Sequence, residues 1–86
     1  MSAKNILRHA ATVMAERCKA YGSPASSMER VARRWTITLG HPVTPVQVVL
    51  CMIDLKLARL SHDPRHHDSA VDVINYAAML AEVNES

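Results

Sequence analysis

The sequence predicts an all-α fold, a four-helix bundle built by a single domain over residues 1–86. Two observations carry this. Three stretches rich in turn residues, "YGSPASS", "GHPVTP" and "SHDPRHHD", break the chain near residues 22, 41 and 64. The four segments they separate hold apolar residues at i, i+3 and i+4 spacing, and none alternates with the period of a half-buried strand. Tandem repeats and low-complexity runs are absent from the sequence.

The first helix is expected over about 3–21. Ile6, Leu7, Ala10, Val13, Met14 and Cys18 make one apolar stripe, with Lys4, Arg8, Glu16 and Arg17 mostly off it. Gly22 follows, where a left-handed cap is easiest for glycine. The second helix is expected over 26–39, started by a Ser26–Glu29 capping box and closed by Gly40 and Pro42. Its apolar face is Met28, Val31, Ala32, Trp35 and Leu39, and Arg30, Arg33 and Arg34 form a basic face. The third, over 45–60, opens with Thr44 as N-cap and Pro45 in the first turn. It is apolar on every side from Val48 to Ile53, which suggests a subunit interface in so short a chain. The fourth, over 68–83, sets Ala70, Val71, Ile74, Ala77, Ala78 and Ala81 on one face and Asp72, Asn75, Tyr76 and Met79 on another.

Composition narrows the function classes. With one Trp, two Tyr and no Phe, the core must be aliphatic. A domain of this size buries only about 60% of its unfolded surface, so a homo-oligomer is expected to supply further burial. A net charge of +2 is too weak to point to nucleic acid. No apolar run approaches the ~20 residues of a membrane span, and the N-terminus "MSAKNILRHA" lacks a signal-peptide core. Cys18 and Cys51 lie in apolar segments without a CxxC pattern and read as buried free thiols in a reducing cytosol.

Four features can carry chemistry. Asp68 and Asp72 stand at i and i+4 on one helix face, where the helix N-terminus favours both. Lys56 and Arg59 lie on the preceding helix, and a short antiparallel connection would make Arg59 and Asp68 neighbours in a directional ion pair. Asp54 and Lys56 interrupt the most apolar helix and need partners or solvent. Either they snorkel at a groove edge or a polar pocket is lined by Lys56, Asp72 and Tyr76. Lys19 and Tyr21, in "KAYGSP", either end the first helix or line a site for a planar anion, with Arg30 and Arg34 available for phosphate. His62, His66 and His67 in "HDPRHHD" lack a zinc-ligand spacing and read as loop residues. Ser61, His62 and Asp63 are adjacent and do not converge as a triad. Nucleophile-elbow, P-loop and dinucleotide fingerprints are absent from the sequence.

"KAYGSPASSMERVARRW", "VTPVQVVLCMIDLKLARL" and "DSAVDVINYAAML" together resemble a family of small phage and prophage proteins of uncharacterised function. The shared pattern is K-x-Y-G, L-K-x-A-R-L and D-S-x-x-D-x-x-x-Y-A, spread over about residues 16–81. "DSAVDVINYAAMLAE" is also distantly similar to a late helix of the MazG-like all-α nucleotide pyrophosphohydrolases. That resemblance implies a helical oligomer, a nucleotide substrate and a Mg²⁺ ion held by acidic side chains, here Asp54, Asp68 and Asp72. The family's E-x-x-E helix is replaced by "MIDLKLAR", which puts Lys56 and Arg59 where further carboxylates belong.

The expected function is therefore a phage-type protein, working in the host cytoplasm, that binds a nucleotide-like anion without cleaving it. Sequestering a host immune nucleotide signal is one such role. The expected ligand set is Lys19, Tyr21, Arg30, Arg34, Lys56, Arg59, Asp68, Asp72 and Tyr76, with no catalytic residue, cofactor or metal. The alternatives are a Mg²⁺-dependent nucleotide pyrophosphohydrolase and an interaction module that inhibits a host protein.

Overall fold

Serine, threonine and proline placement fixes where the first three helices begin. The structure is a computed structural model that describes residues 1–85, so the last position of the expected domain lies outside the described residues. Helix α1 spans Ala3–Tyr21, α2 Pro24–Leu39, α3 Pro45–His62 and α4 His67–Glu85, with no strand among the described residues. Ser2 caps α1 by accepting from the Asn5 N–H at 3.1 Å. Gly22, at φ 86°, ends α1 by donating to Cys18 O at 2.9 Å.

Helix α2 starts two residues before the expected Ser26. Ser23 is its N-cap, accepting from the Ser26 N–H at 3.2 Å, and Pro24 takes the first turn. The Ser26–Glu29 box does not form because Ser26 lies inside the helix, three positions after the Ser23 cap, and its hydroxyl accepts from Arg30 Nη1 at 2.9 Å. At the other end Gly40 adopts the left-handed conformation, φ 77° and ψ 19°. The Thr36 hydroxyl then holds the connection: it donates to Ala32 O at 2.8 Å and accepts from the Val43 N–H at 2.9 Å.

The capping box lies on α3. Thr44 Oγ1 accepts from the Gln47 N–H at 3.1 Å, and Gln47 Oε1 accepts from the Thr44 N–H at 2.9 Å. Asp63 ends this helix by donating to Arg59 O at 2.9 Å, and its carboxylate accepts from the Arg65 N–H at 3.1 Å. His66 starts α4. Its Nδ1 accepts from the Ser69 N–H at 3.2 Å and lies 2.7 Å from the Ser69 hydroxyl, which buries Ser69 without leaving it unpaired. His67 meets His9 of α1, ring centroids 5.4 Å apart.

Helices α3 and α4 share the most extensive contact, α2 packs on both, and α1 packs chiefly on α4. The core is Met28, Ala32, Val48, Val49 and Val83, with Trp35, Ile53, Tyr76 and Leu80 packed against it. Val48 and Val49 are fully buried, and each such side chain contributes about 1.5–3 kcal/mol relative to exposure. Although α3 is apolar all round at its centre, only one side of it is covered. Leu50, Leu55 and Leu57 remain exposed on its outer side, as does Cys51, whose apolar segment predicts burial, while Cys18 is half-buried. No helix among the described residues is long and apolar enough to cross a membrane.

Candidate functional site

One carboxylate organises the interior polar chemistry. Asp72 of α4 is the only buried acidic side chain among the described residues. Its Oδ1 accepts from Arg17 Nη1 of α1 at 2.8 Å, and its Oδ2 lies 3.0 Å from Lys56 Nζ of α3. Asp72 faces inward because α4 presents Ser69, Asp72, Asn75 and Tyr76 toward its neighbours along one side. Lys56 faces inward because it continues the Val49–Met52–Ile53 side of α3. Side-chain exposure is 10% for Asp72 and 12% for Lys56, against 44% for Arg17. Lys56 and Asp72 thus form the inner, desolvated pair, while Arg17 reaches in from a wet edge.

Electrostatics follow that geometry. Burial on its own would raise the Asp72 carboxyl, but the hydrogen bonds and charges of Arg17 and Lys56 outweigh it. The group is held below its ordinary value of 3.8. Arg17 is raised in turn, chiefly by its hydrogen bond to Asp72. The Tyr76 phenol is pushed above its ordinary value, first by burial and then by the Asp72 charge. Asp72 is therefore ionised and Tyr76 neutral at physiological pH.

The cluster forms one wall of an open cavity of about 350 Å³. Arg17, Lys56, Asp72, Tyr76 and Tyr21 supply the polar lining. Met14, Cys18, Met28, Met79 and Pro24 supply the apolar lining. Two cations against one carboxylate leave one net positive charge. Arg17 is bonded to Asp72 through Nη1 alone, and the Lys56 ammonium meets a single carboxylate oxygen, so both keep donors for an incoming acceptor. The thioether walls are soft and adaptable surfaces for a flat ring.

Of the residues singled out from the sequence, Tyr21, Lys56, Asp72 and Tyr76 come together here. Arg30 braces the rim, with Nη2 donating to Tyr21 O at 2.7 Å. Lys19, Arg34, Arg59 and Asp68 are exposed and do not line the cavity. The anticipated Arg59–Asp68 pair does not form. Asp68 lies exposed in the first turn of α4, and the cations that pair with this helix, Arg17 and Lys56, go to Asp72 one turn deeper. Arg17 is the residue that sequence reasoning left aside. Its signal was spacing: Met14, Arg17, Cys18 and Tyr21 stand at i, i+3, i+4 and i+7, a single edge of α1.

The donor set does not fit Mg²⁺. Asp54 and Asp68 are exposed, Asp72 already meets two cations, and no group of three His, Cys, Asp or Glu side chains converges among the described residues. Mg²⁺ requires a near-octahedral shell of hard oxygen ligands. Two cations at the single available carboxylate oppose it.

Fold and site together define a small four-helix domain whose one interior carboxylate is clamped by two cations at the edge of an open cavity. Residues 5–84 match the family described as a domain of unknown function, DUF6378, and the chain belongs to that family. It is 35% identical over 69 residues to the Gene 55 protein of Mycobacterium phage L5, an alignment covering 79% of this chain and 44% of that protein. The chain thus spans less than half the length of this phage relative. No solved structure matches it significantly.

Proposed function

We propose that the chain binds a nucleotide-like anion, of about mononucleotide size, in the Arg17–Lys56–Asp72–Tyr76 cavity and does not cleave it. The observation that supports this reading is the pairing of spare cationic donors with soft apolar walls in one cavity of about 350 Å³. That volume lies at the small end of the roughly 300–1,000 Å³ range of ligand pockets. Arg17, at the wet edge, meets the phosphate. The methionines and Tyr76 sandwich the ring. Asp72 orients both cations and limits the net charge, which favours ligands of low negative charge. Hydrolysis has no support in this set, because the cavity offers neither a free carboxylate to activate water nor a place for Mg²⁺. In a family with a phage member, such a protein would act by withdrawing a host nucleotide signal from solution.

Calorimetry against nucleoside mono-, di- and triphosphates and cyclic nucleotides tests the reading. One ligand per cavity is expected, recovered unchanged from the mixture. Arg17→Gln removes a charge-assisted bond, so affinity should fall about tenfold or more while the fold is kept. A competing protein-docking role draws on the exposed leucines of α3 and predicts no heat with any of these ligands.

A further inference from the structure

The outer side of α3 has a seam that nothing among the described residues covers. Cys51, Leu55, Ala58 and His62 follow one another at spacings of 4, 3 and 4 residues, the repeat of a two-helix seam. All four are exposed, and Leu55, Ala58 and His62 line a shallow groove together with Arg59. Asp54 and Arg59 flank the seam on opposite sides. Neither has an ion-pair partner among the described residues.

We infer that a second copy of this chain occupies the seam, with the two α3 helices parallel about a two-fold axis. Parallel alignment brings the residue on one flank of a helix opposite the residue five positions later on the other flank of its partner. Asp54 and Arg59 are five positions apart. Each Asp54 therefore faces the other copy's Arg59, and the two-fold makes the pair twice. Antiparallel alignment along the same seam would set Asp54 on the same side as Asp54. Pairing instead along Leu50 and Leu57 would place Asp54 inside the seam without a counter-charge.

Surface area supports the same occupant. The chain exposes 5825 Å² at a mass of 9.5 kDa. A folded monomer of that mass exposes about 5,000 Å². The excess, roughly 800 Å², is of the order that one partner buries in a standard interface.

Sedimentation equilibrium from micromolar to millimolar concentration tests the arrangement, with circular dichroism confirming that each variant keeps its helices. The wild-type chain is expected to be a dimer. Leu55→Glu should raise the dissociation constant at least a hundredfold. Leu57→Glu, equally exposed but off the seam, should change it less than threefold. Asp54→Arg and Arg59→Asp should each weaken the dimer at least tenfold, and a mixture of these two single variants should form a heterodimer of wild-type strength. A chain monomeric throughout, equal loss on Leu55→Glu and Leu57→Glu, or failure of the mixture to recover, overturns the inference.

Discussion

Asp72 is the residue on which the interior depends. Removing it leaves Lys56, whose side chain is 12% exposed, as a buried cation with no counter-charge. Asp72→Ala should therefore cost about 3 kcal/mol in urea unfolding, near the lower end of the range for breaking such pairs. Lys56→Met should cost less, about 1 kcal/mol, because Arg17 still compensates the carboxylate and the methionine packs. The same carboxyl sets the acid limb of the stability curve. Its folded pKa lies below its ordinary 3.8, so the unfolded chain binds its proton first as pH falls. The stability Asp72 contributes is full above about pH 4–5 and is lost as pH drops through the folded value. Urea midpoints across pH 2–6 should show that slope, and it should shrink in Asp72→Asn. Sequence reasoning reached the Lys56, Asp72 and Tyr76 cluster because charges in apolar helices demand partners. It passed over Arg17 because an arginine at a stripe's edge has the same pattern whether it points to water or to a buried carboxylate.

At the scale of helices, the punctuation was legible and the caps were less so. Gly22, Gly40 and the Thr44–Pro45 start are local chemistry, so α1 and α2 end and α3 begins where the residues indicate. Two starts were not legible. Ser23, Ser26 and Ser27 all offer a hydroxyl near the start of α2, and Ser23 takes the cap, followed by Pro24 at the first helical position. The start of α4 is set by His66, a residue type seldom assigned to capping. Its imidazole accepts from the Ser69 N–H through Nδ1, in the tautomer that carries its proton on Nε2. His66→Ala should cost about 1–2 kcal/mol, through the lost cap and the unpaired Ser69 hydroxyl, as a lower midpoint in thermal unfolding followed at neutral pH. The histidine-rich turn is thus structural at His66 and an α1–α4 contact at His67.

The whole molecule is more extended than a compact domain of its length. Its radius of gyration is 13.5 Å, where about 12 Å is expected for a compact domain of this length. The inferred dimer would cover part of that extended surface on the open outer side of α3. The apolar circumference of α3 had suggested a subunit interface from sequence alone, but its seam was not legible before the covered side was known. The cavity was hidden for a similar reason. It is assembled from all four helices, and periodicity orders residues along one helix without saying which edges meet. The proposed function requires that this cavity take a nucleotide-like anion through Arg17 and Lys56. Its most direct test is titration calorimetry of the folded chain with nucleoside monophosphates and cyclic mononucleotides, beside Arg17→Gln. Saturable binding of one ligand per chain is expected, weakened about tenfold or more by that substitution. Absence of heat from a demonstrably folded chain, or binding unchanged in Arg17→Gln, would contradict it.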